Sequence, residues 1–324
     1  MSKLTESGDK QLDQFASPSW AGEAVLIFGA MPLPYRVAVA TAACSHTDDH
    51  DTPLLLRKLT DAGFRAEAAF WHTPQSWAEF DLVLIRSPWD YAIRVAEFRN
   101  WTQTVSRETM LANSAEIVLW NMDKHYLREL AAAGLPVVDT SYLALGQPLP
   151  QFDHDIVVKP AISAGALNTG RYRAGDPRAV EHVRMLQEQG QTAMVQPYLD
   201  TIDTAGEHAL VFLDGEFSHA MAKGAVLTAA NGIDNSRFPH PNLQPYEPTS
   251  GEIRLATEAL AAIPDRLGTP LYARIDVVTA GDDSTLMELE LIEPNLFLPS
   301  SPSALDRFVK AIEHHIRARQ STST

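Results

Sequence analysis

The chain has 324 residues and carries 41 Asp and Glu against 26 Lys and Arg, a formal charge of -15. That acidity argues against binding along a nucleic-acid backbone, which draws on clustered Lys and Arg, and no apolar run approaches the roughly 20 residues that cross a bilayer. A small-molecule partner is expected, in a reducing cytoplasm, because the single cysteine, Cys44, has no internal partner and the first residues lack a secretory pattern.

The polar residues up to Ser17-Pro18-Ser19 read as an N-terminal extension without assigned chemistry. From there, residues 37–41 read as a buried strand, 53–61 as a helix closed by Gly63, 65–71 as a second strand and 80–86 as a third. Strands alternating with helices predict a parallel α/β lobe with ligands beyond the carboxyl ends of its strands. Two polar clusters fall there: Thr41 with Asp48-Asp49-His50-Asp51, and Arg86-Ser87-Pro88-Trp89-Asp90-Tyr91. An arginine closing an apolar strand beside Trp89, Asp90 and Tyr91 is suited to gripping a substrate carboxylate or amine. Helix capping by Asp51 and ordinary packing of Trp89 are the alternatives.

A second region begins near Asn113. Apolar periodicity predicts a helix from about Met122 to Ala133, closed by Gly134, and a strand opening at Leu135-Pro136-Val137-Val138. There follow a strand at 155–159, a helix at 177–188, a strand at 192–196, a hairpin turning at Asp214-Gly215 and a helix at 251–263. Strands at 272–279 and 286–292 and a closing helix from Ser303 complete the reading.

Lys159 ends an apolar strand and is followed by Pro160-Ala161-Ile162-Ser163-Ala164-Gly165-Ala166, small residues whose backbone N–H groups can approach phosphate oxygens. The Gly-x-x-x-x-Gly-Lys-Ser/Thr of a P-loop is missing, so a nucleotide site here belongs to a different fold. Further on, Arg274 and Asp276 share one face of a strand. The next strand carries Glu288 and Glu290 and runs into Glu293-Pro294-Asn295. Carboxylates at this density need a counter-charge, and a hard cation such as Mg²⁺, held by Asp, Glu and Asn oxygens together with phosphates, supplies it economically. For Glu288 and Glu290 a solvated sheet face is the competing reading.

Taken in order, Trp120-Asn121-Met122-Asp123-Lys124, Val157-Val158-Lys159-Pro160, Gln196-Pro197-Tyr198-Leu199, Arg274-x-Asp276 and Glu293-x-Asn295 resemble the landmarks of ATP-grasp enzymes. The resemblance spans Asn113 to Leu298. It implies an α/β ATP-grasp fold with a parallel pre-ATP-grasp lobe and extension over 1–112, a central subdomain over 113–196 and a C-terminal subdomain with the metal site over 197–324. It further implies that Lys124 and Lys159 contact ATP phosphates, that Ser163, Ala164 and Gly165 belong to a mobile phosphate loop, and that Gln196, Pro197, Tyr198 and Leu199 form the hinge strand that reads adenine. Glu207 becomes the acidic residue near the nucleotide. Asp276, Glu293 and Asn295 become ligands of two Mg²⁺ ions, and Arg274 meets the transferred phosphate or the substrate carboxylate.

Two departures matter. The stretch from Asp276 to Glu293 is longer than in the D-alanine ligase pattern, so Glu290 replaces or joins Glu293, and Gln196 stands where a Glu is common. Within the superfamily, the stretches at 86–91, 120–127 and 288–294 are similar to the branch containing the O-ureido-serine cyclo-ligase of cycloserine biosynthesis. The resemblance implies an ATP-dependent carboxylate–amine ligase acting on an amino-acid-like substrate through an acyl phosphate. Ring closure is the leading form, with intermolecular ligation as in glutathione synthetase, or an ATP-binding module without turnover, as alternatives. Lys223 adds a phosphate or substrate contact, and the polar stretch at 229–244, with Asn231-Gly232 and Asn235-Ser236-Arg237, is a second lid candidate. A metal-dependent hydrolase is disfavoured because the histidines show no ligand spacing on a helix. Homodimerisation is left open.

Overall fold

Val37, Ala38, Val39 and Ala40 are all fully buried, as a strand covered on both faces of a parallel sheet requires. This is β1 (Arg36–Thr41), followed by α1 (Asp51–Asp61), β2 (Arg65–Phe70), β3 (Leu82–Ser87), α2 (Val95–Glu108) and β4 (Met110–Ala112). The four strands are parallel in the order β2-β1-β3-β4. The computed structural model describes residues 35–45, 48–227, 232–233, 235 and 242–322. The N-terminal extension and most of the lid candidate at 229–244, including Asn231, Ser236 and Arg237, lie outside the described residues.

α1 begins earlier than its apolar pattern because the Asp49 carboxylate accepts from the N–H groups of Asp51 and Thr52, which caps the first turn and leaves Pro53 where a missing N–H costs nothing. α2 is not among the elements expected from sequence, yet Phe98, Trp101 and Val105 recur at helical spacing and are buried. Phe98 and Trp101 pack on Trp71 at ring-centroid distances of 5.3 and 6.0 Å.

The helix expected over 122–133 is shorter, α4 (Tyr126–Ala132), and is preceded by an unexpected one, α3 (Ala115–Asn121). Between them the N–H of Lys124 donates to Ala161 O at 2.9 Å instead of to a helical carbonyl, and Asp123 accepts from the His125 N–H at 3.1 Å. The break therefore pins Lys124 against the loop that follows Lys159. The strand expected at 135–138 is also not formed: Val137 makes one isolated parallel bridge to Leu286, since Pro136 has no N–H with which to extend the ladder.

The remaining elements are β5 (Ser141–Leu143), β6 (Ile156–Pro160), β7 (Gly170–Tyr172), α5 (Pro177–Glu188), β8 (Ala193–Pro197), α6 (Thr201–Ala205), β9 (Glu207–Leu213), β10 (Glu216–Lys223), β11 (Gly232–Ile233), β12 (Gln244–Tyr246), α7 (Ser250–Ala261), β13 (Tyr272–Ala280), β14 (Asp283–Glu290) and α8 (Pro302–Thr322). They build two five-stranded sheets, β11-β7-β6-β8-β5 and β12-β10-β9-β13-β14. Asp214 and Gly215 turn β9 into β10 with φ of 52° and 79°, the left-handed pair that a two-residue hairpin needs. β14 starts before the expected position and ends at Glu290, because the next residues are captured by side chains from elsewhere. A shared core joins the parallel sheet to this last sheet and to α8, with Val37 and Leu82 in the same cluster as Val211, Tyr272 and Phe308.

Candidate active site

The β13–β14 pair sets Arg274 opposite Glu290 and Asp276 opposite Glu288. Period-two alternation puts Arg274 and Asp276 on one face, where Arg274 Nε donates to Asp276 Oδ1 at 2.9 Å and Nη2 to Oδ2 at 3.0 Å. The other end of the guanidinium meets Glu290. From β10, Lys223 Nζ donates to Asp276 Oδ2 and to Glu207 Oε1, both at 2.7 Å. Gly206 makes this last contact possible: at φ 80°, a Cβ there would lie 2.6 Å from the Lys223 carbonyl oxygen. Burial opposes it, but Arg274 and Lys223 together hold the Asp276 carboxyl well below the usual carboxylate range.

Lys124 brings the central sheet to this cluster. Its Nζ pairs with Glu288 at 3.0 Å and donates to Ser163 O at 2.9 Å and Ser163 Oγ at 3.4 Å. Past Ser163 the backbone enters the left-handed region at Gly165, Ala166 and Asn168, so a loop of small residues bends sharply over the end of β6. Lys159 differs from the other cations. It lies within electrostatic reach of Glu288, Lys124, Glu207 and Glu290, yet its ammonium has no hydrogen-bonded or ion-paired partner among the described residues. Burial, with Lys124 adding to it, pushes the Lys159 ammonium below the ordinary lysine value.

The hinge residues are placed at the end of β8. Gln196 is buried and its Nε2 donates to Thr140 Oγ1 at 2.9 Å. The Tyr198 N–H donates to Asp155 O at 2.8 Å, its ring lies 3.4 Å beneath the Arg171 guanidinium, and its hydroxyl donates to Asp203. Pro197 pairs with Ile156 across the sheet, and Leu199 accepts from the Ile202 N–H at 3.0 Å. Arg171 also binds Asp155 at 3.1 Å and Asp203 at 3.0 Å. Sequence reading missed this cluster, because its members are scattered over four elements.

The acidic segment after β14 is held almost residue by residue. Asn121 accepts from the Leu291 N–H at 2.8 Å, and Asn113 donates to Leu291 O at 2.7 Å. The Tyr272 hydroxyl donates to Ile292 O at 2.8 Å, Trp89 Nε1 to Glu293 O at 3.3 Å, Arg86 Nη2 to Pro294 O at 2.7 Å and Arg274 Nη1 to Asn295 O at 3.2 Å. Asp51 accepts from the N–H groups of Leu296 and Leu298 at 2.7 and 2.8 Å. Asn295 Oδ1 accepts from the Phe297 N–H at 2.9 Å, which supports the left-handed Phe297. Of the side chains after β3 that were expected to meet substrate, Arg86 and Tyr91 are only 2 % exposed. Asp90 accepts from Trp71 Nε1 at 2.6 Å and Arg94 Nη1 at 3.3 Å, and Trp89 holds the Glu293 backbone. Asp51, Asn113 and Asn121, which fix the segment, carry no motif signal beyond Asn121's place beside Lys124.

Among the described residues no three His, Cys, Asp or Glu side chains already converge as a metal cage. The donor set of Asp276, Glu290, Glu293 and Asn295 is nonetheless all oxygen, the chemistry that Mg²⁺ takes. It is also short of positive charge. Burial pushes the Glu293 carboxyl up to about 7, with Lys124 and a Tyr91 hydrogen bond only partly offsetting it. Burial likewise raises Glu290, with Arg274 opposing it and the carboxylates of Asp276, Glu288 and Glu293 adding to it. Carboxylates in this condition fit an added cation.

The family described as D-cycloserine synthetase DcsG, N-terminal domain, matches residues 37–113. The cycloserine biosynthesis protein DcsG of Streptomyces lavendulae is 34% identical over 300 residues, which cover 87% of this chain and 99% of that protein. The chain belongs to the D-cycloserine synthetase family. A crystal structure of D-cycloserine synthetase DcsG matches with a TM-score of 0.79 at 32% identity, over 87% of this chain and 99% of that one. D-alanine–D-alanine ligase from Bacillus anthracis matches in fold with a TM-score of 0.63 at 13% identity, over 90% of this chain and 100% of that one. Membership of the D-cycloserine synthetase family makes the protein an ATP-grasp enzyme, an ATP-dependent ligase that forms C–N bonds. ATP-grasp ligases work with ATP and Mg²⁺.

Proposed function

We propose that the protein uses ATP to activate the carboxylate of an amino-acid-like substrate and then closes the activated acyl group onto an amine of the same molecule. The observation that carries the first half is Lys159, an ammonium without an ion-paired or hydrogen-bonded partner among the described residues, within electrostatic reach of Lys124 and of the acidic cluster and suited to phosphate oxygens. Ring closure is supported by the family, whose curated relative is a cycloserine biosynthesis protein.

In this reading Lys124 and Lys159 hold the ATP phosphates together with the backbone of Ser163, Ala164 and Gly165. Gln196, Pro197, Tyr198 and Leu199 flank adenine, and Glu207 and Lys223 stand near the nucleotide. Asp276, Glu290, Glu293 and Asn295 would hold two Mg²⁺ ions, whose chemistry would be to supply positive charge against the phosphoryl group in transfer. Arg274 stabilises that group from the protein side. A substrate carboxylate oxygen attacks the terminal phosphorus and the bond to ADP breaks, giving an acyl phosphate. The amine then attacks the acyl carbon, a C–N bond forms, and phosphate leaves as the nitrogen gives up its proton. The loop after Lys159 excludes water that would otherwise hydrolyse the acyl phosphate. Residues 1–112, 113–196 and 197–324 serve as the extension with the pre-ATP-grasp lobe, the central part and the C-terminal part, and the family match ending at residue 113 supports the first of these boundaries. β11 then returns from the last part to pair with β7 of the central sheet.

Incubation with Mg-ATP and a panel of amino acids and their ureido and hydroxamate derivatives tests the reading. ADP release with a product lighter than one substrate by one water is the expected result. A product joining two substrates would replace ring closure by intermolecular ligation, and no ADP with any carboxylate would sink the enzyme reading.

The raised carboxylates give a pH signature with a definite sign. Between the ordinary glutamate value of 4.5 and about 7 the folded chain keeps a proton on Glu293 that the unfolded chain releases, so the contribution of Glu293 to the stability of the protein without ligand falls as pH rises across that window. Mg²⁺ with ADP binds the ionised form and is expected to raise Tm more at about pH 8 than at about pH 6. Equal increments at both would remove these carboxylates from the cation site.

A further inference from the structure

The hydrogen bond between Gln196 and Thr140 has a direction that its surroundings fix. The Gln196 amide lies 2.9 Å from Thr140 Oγ1, and Thr140 Oγ1 donates its one proton to Val138 O at 2.8 Å. A hydroxyl whose proton is already engaged can only accept. Gln196 therefore turns its NH₂ group toward Thr140 and its amide oxygen away. Val138 is anchored in turn, its N–H donating to Leu286 O of β14 at 3.1 Å. At the far end of this relay, Gln196 Oε1 accepts no hydrogen bond among the described residues.

The same amide lies on the face of the sheet that carries Lys159. In the β6–β8 ladder Gln196 stands opposite Val157 and Met194 opposite Lys159, and Thr140 continues the register that sets Ser141 opposite Val195. Residues directly opposite one another, and residues two apart on one strand, share a face. Thr140, Gln196 and Val157 thus form one row, about 7 Å along the strands from the row of Lys159. The first row presents an acceptor oxygen and the second an ammonium. Close by, the Tyr198 N–H is taken by Asp155 O and Pro197 has no N–H.

An acceptor held in this way discriminates between purines. Adenine carries an NH₂ donor at position 6, where guanine and hypoxanthine carry an oxygen acceptor. An outward amide oxygen accepts from the first and repels the second, and a flipped amide does the reverse. We propose that Thr140 is a positioning residue that locks the Gln196 amide with its oxygen outward and so sets the preference for a 6-amino over a 6-oxo purine nucleotide. The proposal rests on the reading of Gln196 to Leu199 as flanking the base, and adds to it a residue two strands' connections away that touches no ligand.

Calorimetry of ADP and of IDP binding, each with Mg²⁺ and the full-length protein, tests this. The two nucleotides differ in the 6-amino or 6-oxo group and the N1 proton that accompanies the latter. Thr140→Val, which keeps the side-chain shape, is expected to lower the ratio of ADP to IDP affinity about 3–10-fold, the worth of one neutral hydrogen bond. Thr140→Ala serves as a second variant should the first lower folding yield, and Thr140→Ser, which keeps the hydroxyl, is expected to hold the wild-type ratio. Gln196→Met is expected to lower the ratio similarly, with no further loss when Thr140→Val is added. Gln196→Glu, whose carboxylate has no donor to present, is expected to keep the preference with or without Thr140→Val. An equal loss of ADP and IDP affinity in Thr140→Val would overturn the proposal and leave Thr140 a packing role. An unchanged ratio in both Thr140→Val and Thr140→Ala, with a lowered one in Gln196→Met, overturns the positioning role alone. An unchanged ratio in Gln196→Met removes the base from this amide and overturns the reading beneath it.

Discussion

Lys159→Ala is expected to lower kcat by about 10²–10³-fold while leaving Tm unchanged or slightly higher. The two halves come from one observation. The ammonium has no partner among the described residues and lies beside a second cation, Lys124, so the folded chain gives up no hydrogen bond when it is removed. A transferring phosphoryl group, in contrast, loses a positive charge placed where negative charge develops. Lys124→Ala should behave differently. Lys124 is buried, bonds Ser163 and pairs with Glu288, so its loss leaves a buried carboxylate without its counter-charge and loosens the loop after β6. Turnover and thermal melts on the two variants separate these cases. Full activity in Lys159→Ala would sink the phosphate assignment, and a large drop in its Tm would show that the ammonium has a structural partner.

What the sequence made legible follows from how local each signal is. The parallel sheet was readable because β1 and β3 are uninterrupted apolar runs, and the β9–β10 hairpin because Asp214-Gly215 permits only a few backbone conformations. That Arg274 and Asp276 share one face of a strand was readable from period-two spacing alone, whereas their ion pair was not. The break that precedes α4 was not, because apolar periodicity carries the expected helix back to Met122. Its cause is the bond from the Lys124 N–H to Ala161, a residue that only the folded chain brings near. The failure of the strand at 135–138 had a local sign in Pro136, and α2 had one in the spacing of Phe98, Trp101 and Val105.

The site divides in the same way. Lysines and carboxylates in a recognisable order marked its reacting face. The groups that hold that face still are Asn113, Asn121, Asp51, Arg86 and Tyr272, ordinary residue types in ordinary surroundings whose partners are backbone groups far along the chain. Backbone hydrogen bonding to a distant side chain leaves no spacing rule behind it. Arg86 shows how the two kinds of residue are confused: an arginine after an apolar strand reads as a ligand group, whereas its guanidinium is enclosed, binding Pro294 O and lying 5.2 Å over the Tyr272 ring.

The largest stability effect is expected from Asp51→Ala, a loss of about 3–5 kcal/mol by denaturant midpoint. Asp51 opens α1, but its carboxylate faces inward, with each oxygen accepting a backbone N–H from the segment after Asn295 and with Arg86 Nη2 3.5 Å away. Both side chains of this pair are 2 % exposed. Alanine would leave two buried N–H groups without acceptors and one buried guanidinium without its counter-charge, and Arg86 already has Nε and Nη1 unpartnered among the described residues. Asp51→Asn, which keeps an acceptor but not the charge, should fall between Ala and wild type. The exposed pair of Lys58 with Asp306 is the internal control, where Lys58→Ala should barely move the midpoint. The same cut releases the backbone that carries Glu293 and Asn295, so Asp51→Ala should weaken Mg²⁺-dependent nucleotide binding even under conditions where the variant remains folded. Wild-type binding in a folded Asp51→Ala protein would show that the acidic segment keeps its shape without this anchor and that the cation site is set by β14 alone.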